Sequence, residues 1–333
     1  MQRVTINDVA ATVGVSVSTV SRSFTNPDSV RGNTRERVLE VARELGYTPN
    51  RAARGLITGK TGNIGVVVPD VANPFFSAVL KGVNARAREA DQVVFLADTD
   101  EDARAEEELV RAMVKQVDGV VLCSSRMSDR QLQEIMPSVP LVFVNRRAAD
   151  APAILFDNVG GMRQALTHLE ALGHRRVAYV SGPRNSWSNR ERRRGLKQFT
   201  REGGMEVVEV GPFGPTYESG LQAADLAVAA EVTAVVAFND LMALGVVNRL
   251  TARGVRLPDE MSVVGFDGIP MGAMISVPLT TVSLPMVQAG RAAIDLLLES
   301  LASPRTDGAR QRVLDAHLLV RASTMPPQAP PPR

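Results

Sequence analysis

Polar and aromatic side chains recur in this 333-residue sequence at one kind of place, just beyond a short run rich in valine and isoleucine. Asp70, Asn73 and Phe75 follow the run 64–68, and Asn145 follows 141–144. Trp187 and Arg192 follow 176–180, Asn239 and Asp240 follow 234–238, and Asp267 follows 262–266. Singly, Asp70, Asn73 and Asp240 read as helix caps or turn residues. Together the set supplies an aromatic wall, a guanidinium, amides and carboxylates. A polyhydroxyl ligand needs that mixture, because its hydroxyls require fixed donors and acceptors while its C–H face stacks on a ring. Trp187 and Phe75 would stack a nucleobase equally well.

Other chemistries find little to hold. The three histidines, His168, His174 and His317, are too scattered for a metal site, and neither a Ser/His/Asp set nor a carboxylate pair stands out. No enzyme, metal or cofactor is expected. Cys123, the single cysteine, has no partner for an internal disulfide, which suits a reducing, cytoplasmic setting. The start of the chain lacks the apolar stretch of a signal peptide, and no run approaches the roughly 20 apolar residues of a membrane span. The stretch from Gly55 to Thr61 mimics a phosphate loop but has three residues between its glycines where the cradle needs four.

The elements that would carry the first set begin at residue 63. Strand-like runs at 64–68, 93–97, 119–123, 141–144, 176–180, 207–210, 234–238, 262–266 and 281–284 alternate with amphipathic stretches, the pattern of parallel strands with crossover helices. Nine such units exceed one sheet, so two doubly wound α/β lobes are expected, with ligand in the cleft where strand C-termini meet. The arginine-rich run 190–197 reads as a helix facing both cleft and solvent, with a nucleic-acid patch as the alternative.

The first sixty residues differ in charge and pattern. They carry nine Arg/Lys against five acids, a net +4, while the remainder carries −2, a split that suits phosphate contact at the front. Thr5 with Asp8 forms a capping box for a helix bearing Ile6, Val9, Ala10 and Val13, and Gly14 ends it. Ser16 caps a second helix over 17–24 after a tight turn, and a third is expected to start at Asn33 and stop at Gly46. Helix, glycine turn, helix is the layout of a helix-turn-helix DNA reader, although three short amphipathic helices can also form a plain bundle.

The segments Val4-Thr5-Ile6-Asn7-Asp8-Val9-Ala10, Gly14-Val15-Ser16, Thr19-Val20-Ser21-Arg22, Thr34-Arg35-Glu36-Arg37-Val38 and Leu45-Gly46-Tyr47-Thr48-Pro49-Asn50 resemble the headpiece of the lactose-repressor (LacI/GalR) family. Val66-Val67-Val68-Pro69-Asp70, Asn73-Pro74-Phe75-Phe76, Phe238-Asn239-Asp240, Ser262-Val263-Val264-Gly265-Phe266-Asp267 and Leu319-Val320-Arg321-Ala322-Ser323-Thr324 resemble its core, which is similar to periplasmic sugar-binding proteins.

The resemblance implies a helix-turn-helix headpiece over 1–47, a hinge helix and linker over 48–61, and a periplasmic-binding-protein-like core of two lobes. The first lobe would span 62–157 plus about 286–310, the second 158–285 plus about 311–324, and 325–333 would be a disordered tail. Val17, Ser18 and Arg22 would touch base edges in the major groove, where arginine bonds bidentately to guanine and valine meets a thymine methyl. Thr5, Ser16, Thr19 and Ser21 are better read as capping or phosphate-positioning groups. Asn50, Arg54 and Leu56 would belong to a hinge that folds on DNA, with Leu56 wedged into the minor groove or else packed on the core. Arg192, Asn239 and Asp267 would clamp the ligand, with Asp70, Phe75, Asn145 and Trp187 around it; Asn145 departs from the aspartate often present there. The implied protein is a homodimeric repressor on palindromic double-stranded operator DNA, controlled by a sugar or, alternatively, by a nucleoside or protein effector. A solute-binding protein would have no use for residues 1–56, and a nucleotide-sugar enzyme lacks its catalytic residues.

Overall fold

A computed structural model of the chain describes residues 4–48, 59–148, 151–201, 203–303 and 310–327. The chain divides into two compact units, Met1–Gly62 and Asn63–Arg333.

In the first unit, α1 (Ile6–Val13), α2 (Val17–Thr25) and α3 (Gly32–Glu44) close on Val9, Ala10, Val20, Val38, Val41 and Ala42. The capping box forms, with the Asp8 carboxylate accepting from the Thr5 N–H at 2.7 Å and from its hydroxyl at 2.8 Å. Gly14, at φ 76°, supplies the left-handed residue that turns the chain from α1 toward α2. The third helix begins one residue earlier than expected, with Arg31 as its uncapped N-terminus, so Asn33 lies inside the first turn. Its end is a Schellman turn at Gly46, where the Tyr47 N–H reaches the Ala42 carbonyl.

The second unit holds two six-stranded sheets. The first runs β11-β5-β4-β3-β1-β2, from β1 (Asn63–Val68), β2 (Val93–Asp98), β3 (Gly119–Cys123), β4 (Leu141–Val144), β5 (Ala153–Phe156) and β11 (Gln311–Leu314). The second runs β12-β10-β9-β8-β6-β7, from β6 (Arg176–Val180), β7 (Glu206–Val210), β8 (Ala234–Ala237), β9 (Ser262–Asp267), β10 (Thr280–Ser283) and β12 (His317–Leu319). All pairings are parallel except β10 with β12. The helices α4 (Pro74–Glu89), α5 (Ala103–Met113), α6 (Asp129–Ile135) and α11 (Met286–Ala302) belong to the first lobe. The second lobe takes α7 (Asn158–Ala171), α8 (Trp187–Arg201), α9 (Tyr217–Ala229) and α10 (Asp240–Ala252). Valine and isoleucine fill β1, β3, β4 and β8, which are buried along nearly their whole length, as strands covered on both faces must be.

Glycines bring helices to backbone contact in both lobes. A Cβ at Gly82 of α4 would overlap the Val287 carbonyl of α11, and one at Gly220 of α9 would overlap the Met242 carbonyl of α10.

Three strands escaped the sequence reading: β5, β11 and β12. The expected assignment of 311–324 to the second lobe is corrected by β11, whose residues Gln311 to Leu314 pair in parallel with Ala153 to Phe156 of the first sheet. The chain therefore passes between lobes three times, after β5, after β10 and between β11 and β12. The expected disordered tail is also shortened. Met325 is tied to the second lobe, its N–H donating to Ser262 Oγ at 3.1 Å and its carbonyl bonding His174 Nε2 at 3.1 Å.

Candidate functional site

Two surfaces gather the residues singled out above. In the first unit, Ser16 Oγ accepts from the Thr19 N–H at 3.2 Å and contacts both Ser18 Oγ and Thr19 Oγ1 at 2.9 Å, so hydroxyls cluster at the start of α2. Val17 is 41% exposed, a large apolar side chain in water at the helix tip. Ser18 and Arg22 stand one turn apart and exposed, and Arg22 Nε donates to the Ser18 carbonyl at 3.3 Å. Thr5 is exposed, whereas Thr19 and Ser21 are half-buried. The tip thus presents an apolar group, a hydroxyl and a guanidinium side by side. Asn50, Arg54 and Leu56 lie outside the described residues.

The second surface is the cleft between the lobes, at the C-terminal ends of both parallel sheets. Its lining includes Asn73 and Phe75 at the start of α4, Glu101 beyond β2, Ser124 and Arg126 beyond β3, Asn145 beyond β4, Arg192 on α8, Phe238 and Asn239 beyond β8, and Asp267 at the end of β9. The cavity between them measures only about 20 Å³, enough for one water.

Arg192 organises this cleft. Its guanidinium is buried and lies over the rings of Phe266, at 3.6 Å, and Phe238, at 4.7 Å. Nε donates to Asn158 Oδ1 at 2.9 Å, Nη2 to Asp267 Oδ1 at 3.3 Å, and Nη1 to the Phe238 carbonyl. From Asn158 the hydrogen bonds continue to Asn145 Oδ1 at 3.2 Å, and Asn145 donates onward to Ser124 Oγ at 3.1 Å. The amide at 145 both donates and accepts, which a carboxylate does not do.

Asp267 sits at φ 117°, a backbone strained for any side chain. Burial raises its carboxyl pKa to about 7, the Arg192 charge opposing the shift and the Asp240 charge adding to it. Asp240, fully buried, is raised to about 6 by burial, against hydrogen bonds from Thr281 and from the backbone of Ile269 and Gly268. Asn239 caps α10, accepting from the Met242 N–H at 2.9 Å while donating to the Pro215 carbonyl at 2.9 Å.

Residues 5–50 match the model of bacterial regulatory proteins of the lacI family, and residues 166–324 match the periplasmic binding protein-like domain. The transcriptional repressor CytR of Escherichia coli K12 is 33% identical, over 96% of both chains. The chain belongs to the lacI family. Other lacI family structures share its fold: the lac repressor dimer bound to operator and the anti-inducer ONPF (28% identity, TM-score 0.86, 97% of this chain and 100% of that one) and the CelR–cellobiose complex (33%, 0.72, 96% and 100%). As a lacI family member the chain is a DNA-binding transcriptional regulator, not an enzyme. Among the described residues no helix is long and apolar enough to cross a membrane.

Within this lacI family core, the cleft brings together Phe75, Asn145, Arg192, Asn239 and Asp267. It does not include two expected residues. Asp70 turns aside, its Oδ1 accepting from the Ala72 N–H at 2.7 Å as a turn residue. Trp187 is half-buried against the apolar cluster that includes Met127 and Leu132 of the first lobe. It stands five positions before Arg192, about 140° around a helix, so the two cannot share a face. Sequence reasoning missed Glu101, Ser124, Arg126 and Asn158. Ser124 and Arg126 follow a strand that had been recognised, so the same strand-end rule would have found them.

Proposed function

We propose that this chain is a sugar-responsive homodimeric repressor. Val17, Ser18 and Arg22 of α2 read base edges in the major groove, while Thr5, Ser16, Thr19 and Ser21 cap the helices and meet phosphates. Asn50, Arg54 and Leu56 complete DNA contact from the hinge. The effector sits in the cleft on Arg192, Asp267, Asn239 and Asn145, with Phe75 behind it. A pyranose exceeds the 20 Å³ available, so its entry requires the lobes to part.

The observation that carries this reading is the buried network of Arg192, Asp267, Asn158 and Asn145 at the facing strand ends of a lacI family core. The cellobiose bound by CelR supports the ligand class. Exposed apolar side chains support the dimer: Val93, Phe95 and Leu96 on edge strand β2, and Leu226, Met271 and Met274 on the second lobe. An open apolar edge of this kind calls for a covering partner.

A selection of genomic fragments at moderate salt, followed by a thermal-shift panel of sugars and nucleosides, tests both halves. A palindromic site whose affinity falls steeply with salt is expected, together with stabilisation by a sugar. Failure to enrich any site removes the repressor reading; stabilisation by nucleosides alone replaces the ligand.

A further inference from the structure

Both arginines of the cleft are already matched. Arg126 Nε and Nη2 donate to the two Glu101 carboxylate oxygens, at 2.5 and 2.9 Å, and Nη1 donates to the Ser124 carbonyl at 2.7 Å. The three nitrogens of Arg192 are likewise engaged, by Asn158, Phe238 and Asp267. Among the described residues the lining contains no other charged side chain, so two guanidiniums face two carboxylates.

The Glu101 contact is built into the backbone. Asp100 and Glu101 occupy the left-handed region consecutively, at φ 49° and 61°, an arrangement two non-glycine residues adopt only when held. The holding contacts are the Glu101 N–H to the Pro69 carbonyl at 2.9 Å and the Asp100 N–H to Asp98 Oδ1 at 3.1 Å. Arg126 is held from behind as well, since its backbone N–H and that of Met127 donate to the buried Glu106 carboxylate.

We propose that Glu101 sets the charge the cleft accepts, restricting the effector to a neutral polyhydroxyl compound. This deepens the sugar reading and rests on it. A phosphate or carboxylate on the ligand would have to take Arg126 from the half-buried Glu101 carboxylate or Arg192 from the buried Asp267 carboxylate, and meet the repulsion of the carboxylate it displaces. A hydroxyl faces no such exchange. It accepts from the N–H bonds each guanidinium has left over and donates to unused carboxylate or amide lone pairs.

The test compares matched probes by calorimetry at pH 8: D-glucose with D-glucose 6-phosphate and D-glucuronate, cellobiose with cellobionate, D-ribose with D-ribose 5-phosphate, and uridine with uridine 5′-monophosphate. In the native chain the neutral member of any binding pair is expected to bind at least tenfold tighter. In Glu101→Gln, which frees Arg126, the anionic member should gain at least tenfold, with operator binding retained as the check on folding. An anionic probe preferred by the native chain, or an order unchanged in Glu101→Gln, overturns the inference. If only the uridine pair binds, the sugar reading falls, and the same comparison within that pair decides the charge rule. Should Glu101→Gln fail to fold, the native selectivity alone decides.

Discussion

Asn158 accepts a hydrogen bond from Arg192 Nε at 2.9 Å while its own amide donates to Asn145 across the cleft. It is the link through which a five-residue chain, Ser124–Asn145–Asn158–Arg192–Asp267, runs from the first lobe to the second. A ligand that reorders either end must disturb this link, so coupling can be no larger than its preference between the two arrangements. Asn158→Ala leaves buried groups on both sides unpaired and should cost about 2 kcal/mol. Chemical denaturation checks the stability, and effector titration of operator release should show a weakened response.

Arg192→Ala is expected to abolish the effector response while operator binding persists, because Arg192 lies in the second unit and the DNA-reading helix in the first. Mobility shifts with and without effector read this directly. A retained response would move the ligand to another surface, the first candidate being the groove of about 640 Å³ lined by Gln164, His168 and Leu318.

Asp267 gives the unliganded fold a pH signature. Its carboxyl, raised from 3.8 to about 7, binds a proton in the folded state that the unfolded chain has released. The stability this group contributes is therefore greatest near pH 4 and is lost as pH rises to 7. The melting temperature of the native chain relative to Asp267→Asn should fall between pH 5.5 and 8. A difference that rises instead would mean the carboxylate is stabilised by Arg192 more than burial opposes it. Conversely, a hydroxyl donated to the ionised carboxylate should make effector binding tighter, with proton release, as pH rises through 7.

At the headpiece, Arg22→Ala should cost about 1–3 kcal/mol of operator affinity and relax discrimination at one base pair in each half-site. Ser16→Ala removes the cap of α2 and should cost about 1 kcal/mol of headpiece stability. A binding series across single-base operator variants separates the two, since a lost cap weakens every variant alike.

What could be read from sequence followed what is local. The capping box at Thr5 and Asp8, the Gly14 turn and the Ser16 cap each depend on residues within four positions, and each formed as expected. The long buried strands announced themselves through valine and isoleucine. Strand β11 did not: Gln311-Arg312-Val313-Leu314 has no distinctive pattern, and only pairing with Ala153 to Phe156, more than 150 residues earlier in the chain, makes it a strand. In the cleft, the strand-end rule located Asn145, Arg192, Asn239 and Asp267, because open α/β sheets bind at that edge. It failed for Trp187, where rotation along a helix outweighed nearness in sequence. It was silent on the pairing of Glu101 with Arg126, which depends on a left-handed loop that non-glycine residues do not advertise.

The return of the chain to its first sheet also governs the order in which the molecule can be made. The first lobe opens with Asn63 and acquires its last strand only with Leu314, after nearly all of the second lobe has been synthesised. During translation the edge of β5 therefore waits, unpaired on that side, until β11 emerges. The nascent first lobe stays incomplete and open to wrong strand partners for most of synthesis, so shielding by chaperones would matter most in that interval.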